Sequence, residues 1–286
     1  MKCVTYNIQY GKGQDGRIDL KRIIDEVSGA DVIALQEVDR FWPRTGHVDQ
    51  VKVFREHFRD HFSVYGAGVD MHAAGTLPSE NRRCQFGNMI LSRFPIEHAR
   101  HHLLPKHGSL GPLSIQRSAL ETTILVNGHP LRVYSIHLTH LSAETRLSQV
   151  ERILEIHHQA RHEGHAVSGD LRGMDWESGV PSQPVADNAL LLGDFNFVPE
   201  SEEYRRFVGP ISDYGGHITS PMGFVDAWCQ AGGDKSQGHT SDVKGAPARL
   251  DHCFVSAAIR DRIETCWIDD QATGSDHLPL WVEMKF

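Results

Sequence analysis

Side chains that can bind metal ions or take part in catalysis lie at the ends of short apolar segments of this sequence. Glu37 follows the apolar run 32–35, and Asp194 and Asn196, in the sequence Gly-Asp-Phe-Asn, follow the run 190–192. The candidates at other apolar edges are Asn7 after 4–6, His137 after 131–136, and Asp276 with His277 before 278–282. Because ligands commonly bind where strands give way to loops, we expect these side chains to meet in one site.

Carboxylate and amide oxygens dominate this set, which is typical of a site for a hard cation such as Mg²⁺ or Mn²⁺. A hard cation that keeps water in its coordination shell is typical of phosphoryl chemistry. His137 and Arg117 add groups that can stabilise charge on phosphate oxygens in the transition state. The residue types therefore predict a divalent-metal-dependent phosphoester hydrolase that uses one or two ions.

Each of these signals also has a purely structural interpretation. A Gly-Asp-x-Asn sequence is a common turn, and Glu37 alone is a plausible solvated charge at a strand end. Taken singly, His137 is a plausible core histidine and Arg117 a plausible salt-bridge partner. The ordered combination of all of them favours the catalytic interpretation.

The apolar segments that must position these groups are too short for surface helices. The segments 32–35, 89–91, 131–136, 190–192, 250–255 and 278–282 predict strands, several of them buried on both faces. Helical spacing predicts one helix over 19–28, with Asp19 as N-cap and Gly29 at its end, and another over 142–163. The segment 164–188 is predicted to be an inserted surface loop, either a lid or a plain insertion. We expect one domain over 1–286.

The bulk composition limits the location and the partners. The net charge of −8 disfavours a nucleic-acid partner, although a bound cation would offset part of it. The five cysteines are dispersed without a CxxC pair, which favours free thiols in a reducing compartment. The sequence predicts neither a signal peptide nor a membrane span, so the expected location is the cytoplasm. It gives no indication of the oligomeric state.

Several short segments match a known family. In chain order they are TYNI (Asn7), LQEV (Glu37), GNMILSRFPI (87–96), QRSAL (Arg117), SIHL (His137), GDFN (Asp194 and Asn196), FVDAW (Asp226), RLDHCFVS (Asp251) and GSDHLPL (Asp276 and His277). They span nearly the whole chain and resemble the endonuclease/exonuclease/phosphatase superfamily, which contains deoxyribonuclease I. The segments 13–20 and 37–50 further resemble the small bacterial metal-dependent hydrolases of that group. The resemblance implies an α+β fold, a four-layer α/β/β/α sandwich of two packed mixed β-sheets with outer helices.

The resemblance also implies how the metal and the attacking water are held. Glu37 would be the principal metal ligand, with Asn7 beside it, and Asp276 would assist the same cation or a second one. Asp194 would orient or deprotonate the attacking water. Asn196 would hold that water or a phosphate oxygen.

The remaining implied roles concern the phosphate itself. His277 would donate to the phosphate as negative charge develops, and Asp251 would fix its tautomer and stabilise its cationic form. His137 and Arg117 would contact the non-bridging oxygens. Attack by water should be in line, without a covalent enzyme intermediate.

The sequence constrains the identity of the substrate less than it constrains the type of reaction. We expect a phosphodiester or phosphomonoester of a small molecule or a lipid head group. One alternative is a DNA nuclease or abasic-site endonuclease, which the short basic clusters Arg82-Arg83 and Arg205-Arg206 disfavour. Another is an inactive binding module on the same fold, which would predict loss of the metal and histidine positions. Trp42 and Arg44 either frame the substrate or only pack their loop against the surface.

Overall fold

The computed structural model describes residues 1–170, 172–175 and 186–286. Its strands are β1 (Lys2–Asn7), β2 (Val32–Arg40), β3 (Phe62–His72), β4 (Arg83–Ser92), β5 (Ile96–Leu103), β6 (Ser118–Val126), β7 (His129–His137), β8 (Ala189–Asp194), β9 (Phe224–Asp226), β10 (Ser241–Val243), β11 (Ala246–Ala248), β12 (Asp251–Ser256), β13 (Ile263–Ile268) and β14 (Leu280–Met284). Its α-helices are α1 (Leu20–Glu26), α2 (Gln50–His57), α3 (Ala143–Glu163), α4 (Glu202–Val208) and α5 (Ala227–Gln230).

Most strands belong to two six-stranded sheets. The first sheet has the order β13-β14-β1-β2-β4-β3, and the second has the order β5-β6-β7-β8-β12-β9. The pairs β1–β2 and β7–β8 are parallel, whereas the other neighbours in both sheets are antiparallel. Both sheets are therefore mixed, and β10 and β11 form a separate hairpin.

Apolar side chains on both faces of each sheet hold the layers together. Between the sheets, Val32 and Ala34 of β2 pack with Val133 of β7 and Leu190 of β8. On the outer face of the first sheet, Ile33 packs in a cluster with side chains of α1 and α2. On the outer face of the second sheet, Leu191 packs in a cluster with α3 and α4. Burial on both faces explains the nearly continuous apolar runs and confirms the predicted four-layer sandwich.

Buried hydrogen bonds connect the two sheets close to the end of β2. Gln36 Nε2 donates to Ser135 Oγ at 2.9 Å, and Ser135 Oγ donates to the carbonyl of Leu35 at 3.0 Å. Asn88 Nδ2 lies 2.9 Å from the carbonyls of both Ser118 and Ser135. Because an unpaired buried polar group is costly, these bonds fix how β2 and β4 sit on β6 and β7.

The two predicted helices are present, and capping sets their starts. Asp19 accepts a hydrogen bond from the Lys21 amide at 2.9 Å, which confirms it as the N-cap of α1. Helix α1 ends at Glu26, short of the predicted residue 28, and Gly29 follows with φ of 91°. Ser142 caps α3 through the Thr145 amide. No helix within the described ranges combines the length and apolar character that crossing a membrane requires.

The predicted loop over 164–188 is described only in part. Its residues 164–170, 172–175 and 186–188 form turns, bends and irregular backbone without a helix or strand. Residues 171 and 176–185 lie outside the described residues. The choice between a lid and a plain insertion depends on them and therefore stays a prediction.

Gly193 provides a direct test of the packing that positions Asp194. A Cβ atom at Gly193 would lie 1.9 Å from the carbonyl oxygen of Ile136 on the neighbouring strand. Since backbone must move to relieve that overlap, we expect Gly193→Ala to lower the free energy of unfolding by about 1–3 kcal/mol in urea denaturation. Gly108→Ala is the control, because nothing lies within 4 Å of a Cβ there. Equal stability of the two variants would contradict the described β7–β8 contact.

Candidate active site

The strand pairings bring the predicted residues to one end of the sandwich. Asn7 is the last residue of β1 and pairs in register with Gln36, next to Glu37 on β2. In the second sheet, Asp194 ends β8 and pairs with both His137 and Asp251. Register brings these residues together within each sheet, and the packing of the two sheets brings Asn7 to Asp194.

Asp194 lies at the centre of the site and is buried. Its Oδ2 accepts from Asn7 Nδ2 at 3.0 Å and lies 3.3 Å from His137 Nε2 and 3.8 Å from His277 Nε2. Its Oδ1 accepts from the Asn196 amide at 2.9 Å. Burial opposes ionisation, but the charge on His277 and the hydrogen bonds from His137 and Asn7 hold the pKa of Asp194 below its usual value. Asp194 is therefore a carboxylate surrounded by donors.

Glu37 occupies an irregular position in β2. The β2–β4 register shifts between Leu35 and Val38, and Glu37 has a positive φ of 61°. Such a bulge redirects a side chain, and a non-glycine residue in this conformation is typical of a functional site. Its Oε1 lies 3.4 Å from Asn7 Nδ2 and 4.0 Å from His137 Nε2.

Negative charge is concentrated around Glu37. Burial, together with the neighbouring carboxylates of Asp194 and Asp276, raises the pKa of Glu37, although Arg117 and His277 act in the opposite direction. A cation among these carboxylates would favour their charged forms. Carboxylate oxygens are the ligands that a hard divalent ion prefers, in agreement with the ion that the sequence predicts.

His277 and Asp251 form a short buried contact. His277 Nδ1 lies 2.7 Å from Asp251 Oδ2, which leaves Nε2 facing Asp194. Burial lowers the pKa of His277, but the charges of Asp251 and Asp194 outweigh it and raise the value to about 10. Burial raises the pKa of Asp251 to about 6. The pair therefore favours a protonated imidazole held by a carboxylate at neutral pH.

A buried arginine lies behind His137. Arg117 Nη1 lies 2.9 Å from His137 Nδ1, and Arg117 Nη2 lies 3.2 Å from His140 Nδ1. Because a guanidinium only donates, His137 Nδ1 must accept, so the proton of the neutral ring is on Nε2 and faces Asp194. Burial and the charge of Arg117 lower the pKa of His137 to about 4, which keeps the ring neutral.

Gln9 connects two of the predicted metal ligands. Its Nε2 donates to Asp276 Oδ2 at 2.7 Å, and its backbone amide donates to Asn7 Oδ1 at 3.1 Å. Asn7 therefore presents its amide nitrogen to Glu37 and Asp194. Ser275 Oγ donates to the carbonyl of Asn7 at 2.7 Å, which fixes the segment before β14 against β1.

The structure brings the residues selected from sequence into one network. Joined by direct contacts are Asn7, Glu37, His137, Asp194, Asn196, Asp251 and His277, with Asp276 linked through Gln9 and Arg117 through His137. Sequence reasoning missed Gln9 and His140. The spacing His-x-x-His in 137–140 was the available signal for His140, whereas nothing in the sequence marks Gln9.

Three of the buried acidic and histidine side chains also lie close enough together to bind one metal ion. Asp194, Asp251 and His277 each offer a donor atom within 4.8 Å of the others. The short contact between Asp251 and His277 already engages one atom of each. Asp251 and His277 are therefore already paired with each other, and Glu37, Asn7 and Asp276 are the other metal ligands that the sequence predicts.

Asp226 and His252, in two of the matched segments, contact other residues. Asp226 Oδ2 accepts from Tyr204 Oη at 2.9 Å and from Arg249 Nη2 at 2.8 Å, and all three residues are buried. His252 Nε2 lies 2.9 Å from the carbonyl of Phe197. Both residues pack within the second sheet and its helices.

Solved structures with this fold come from bacteria and animals. An endonuclease/exonuclease/phosphatase from Beutenbergia cavernae is 19% identical, with a TM-score of 0.66, and the match covers 100% of this chain and 71% of that one. A mannosyl-6-phosphatase from Bacteroides thetaiotaomicron is 17% identical, with a TM-score of 0.63 and full coverage of both chains. Truncated Caenorhabditis elegans TDP2 is 19% identical, with a TM-score of 0.59 and coverage of 100% and 97%.

A comparison with curated proteins gives no significant match. The family model described as Endonuclease/Exonuclease/phosphatase family matches residues 4–277. That span includes the site from Asn7 to His277, and it confirms the resemblance drawn from short segments. The chain belongs to the Endonuclease/Exonuclease/phosphatase family.

Proposed function

We propose that this protein is a divalent-metal-dependent hydrolase of phosphoesters, in which water attacks phosphorus in line. The observation that supports this most is the buried carboxylate of Asp194, with Asn7, His137 and His277 around one of its oxygens and Glu37 beside it. Family membership supports the reaction class.

Glu37, Asp276 and Asn7 would hold the cation. Their donors are carboxylate or amide oxygens, without a thiolate among them, which suits Mg²⁺ or Mn²⁺. When bound, such an ion polarises a phosphoryl oxygen and neutralises developing charge. In this structure Asn7 donates to Glu37 and Asp194 and fixes both carboxylates, so its Oδ1 would have to turn away from the Gln9 amide to bind the cation.

Asp194 would accept the proton of the attacking water. Hydrogen bonds from Asn7 and Asn196 fix its carboxylate, and its lowered pKa keeps it ionised. Asn196 has a positive φ of 54°, and its Nδ2 donates to the Leu138 carbonyl at 3.0 Å. Its side chain is thereby held beside the position where water or a phosphate oxygen would lie.

His277 and His137 would donate hydrogen bonds to the phosphate through their Nε2 atoms. Asp251 fixes the Nδ1-protonated form of His277 and stabilises its positive charge. Arg117 fixes the Nε2-protonated form of His137. Arg117 therefore acts as a positioning residue for His137. Its positive charge would also attract the phosphate, as the sequence predicts.

The proposed substrate is a phosphomonoester or phosphodiester of a small molecule or a lipid head group. The net charge of −8 disfavours a long nucleic acid, although a short one would be less affected. One structural relative acts as a mannosyl-6-phosphatase, which supports a small phosphorylated substrate.

A screen of phosphoesters tests the reaction class. We expect hydrolysis of at least one monoester or diester with Mg²⁺ or Mn²⁺ present, complete loss in excess chelator, and recovery when the ion is added back. Glu37→Ala should remain inactive after the ion is restored. Full turnover in excess chelator would contradict the metal dependence, and no turnover of any ester class would contradict the enzyme assignment.

A further inference from the structure

An open cleft of about 510 Å³ lies between β3, β4 and the loop that precedes β6. Trp42, Phe86, Met71 and Leu113 form its apolar wall, and we call the cleft that they line the side cleft. Met71 is 56% exposed and Leu113 is 73% exposed. Apolar side chains exposed together in a concavity of this size are typical of a binding site for a small organic group.

Contacts of Arg44 connect the wall of the side cleft to the Glu37 side of the candidate active site. Arg44 in its wall binds Asp39 through two hydrogen bonds of 2.8 Å, and Asp39 stands two residues after Glu37 on β2. The Arg44 guanidinium also lies 4.3 Å from the ring centre of Tyr10. Tyr10 directly follows Gln9, which holds Asp276.

The opposite wall leads to the same site. Gln116 lines the cleft and immediately precedes Arg117, the buried group behind His137. Gly68 allows this wall to approach β3, because a Cβ at Gly68 would lie 2.6 Å from the carbonyl oxygen of Gln116. This wall of the side cleft is therefore continuous in the chain with the arginine that positions His137.

Contacts within the protein hold Trp42, Arg44 and Phe86 of the cleft wall in place before any ligand binds. Trp42 Nε1 donates to the carbonyl of Gln85 at 2.8 Å, and the Arg44 guanidinium lies 5.2 Å from the Trp42 ring and 5.3 Å from the Phe86 ring. Side chains that are fixed in advance lose little conformational entropy on binding.

The charges at the cleft favour an anionic ester over a neutral apolar molecule. Arg44 and Lys106 both line it; Arg44 is paired with Asp39, whereas no described residue forms an ion pair with the Lys106 ammonium. The acid of the cleft, Asp70, is engaged by Arg83 and by Gln85. In a protein with a net charge of −8, Lys106 therefore gives the cleft one cation that no described acid neutralises.

We propose that the side cleft binds the organic group esterified to the phosphate, and that it selects an apolar or aromatic group over a small polar one. The inference rests on the proposed function, because it assigns the part of the substrate that lies next to the reacting phosphate. Burial of a ring against Met71, Leu113 and Trp42 would supply the selectivity.

Two phosphate monoesters with alcohols of similar acidity test the selectivity. We expect kcat/KM for phenethyl phosphate to exceed that for ethyl phosphate by about tenfold or more, with Mn²⁺ present. Met71→Asn and Leu113→Asn should each reduce that ratio severalfold, because they lower kcat/KM for phenethyl phosphate more than for ethyl phosphate. Leu110→Asn is the matched control, because Leu110 is fully exposed on the same loop and does not line the cleft.

Binding of the matching phosphonates, which cannot be hydrolysed, separates the cleft from the reaction. Calorimetry should show tighter binding of phenethylphosphonate than of ethylphosphonate, and Leu113→Asn should remove the difference. If phenethylphosphonate bound more tightly but no ester were hydrolysed, the assignment of the cleft would stand and the proposed function would be overturned. Equal binding of the two phosphonates, or a dimer that Met71→Asn and Leu113→Asn dissociate, would overturn the assignment of the cleft.

Discussion

Asp194→Asn should reduce phosphoester hydrolysis by about a thousandfold while the fold remains intact. The amide that replaces the carboxylate cannot accept the proton of the attacking water. It also replaces one of the two acceptor oxygens, which now face donors of Asn7, His137 and Asn196, with an NH₂ group. Steady-state kinetics on the best ester from the screen measures the loss, and circular dichroism measures the fold.

Asp187→Asn is the matched control for that substitution. Asp187 lies just before β8 and pairs at the surface with Arg161, so its carboxylate has no part in the site. We expect unchanged kinetics for this variant. Turnover near the wild-type rate in Asp194→Asn would show that a different group accepts the proton.

His277→Ala is expected to produce the other large loss, about a hundredfold to a thousandfold in kcat. The substitution removes the Nε2 donor near Asp194 and leaves Asp251 buried without its partner. Because Asp251 acts through the imidazole, Asp251→Asn should lower kcat in the wild-type background but add little to His277→Ala.

A double-mutant cycle on kcat measures that coupling. If the losses of His277→Ala and Asp251→Asn multiplied in the double variant, Asp251 would act independently of the histidine. Unfolding midpoints of all the variants separate this result from a loss of folded protein, since Asp251 is fully buried.

The strands that carry the site were predictable because both of their faces are buried. Residues 32–35 of β2 and 190–192 of β8 alternate between two apolar clusters, so their sequences are continuously apolar. Strands with polar or half-exposed faces were not predicted. In β5, His98 and His102 interrupt the apolar pattern, and in β6 the buried Glu121 is paired with His102 at 2.7 Å.

The positions of the candidate site residues were predictable as far as side-chain type and strand order determine them. The bulge that turns Glu37 was not, because the apolar run ends at Leu35 whereas β2 continues to Arg40. Gln9 was missed because its partner Asp276 lies 267 positions away in sequence. The position of Arg117 behind His137 depends on the pairing of β6 with β7, which no local pattern encodes.

Binding of Mn²⁺ to the protein tests the central claim most directly, because it does not require the natural substrate to be known. Calorimetric titration of the metal-free protein should show one or two ions bound to the wild type, with the Glu37 site lost in Glu37→Ala and retained in Glu155→Ala, a surface control on α3. Equal binding of Mn²⁺ by Glu37→Ala and the wild type, or no binding to either, would contradict a cation held among these carboxylates.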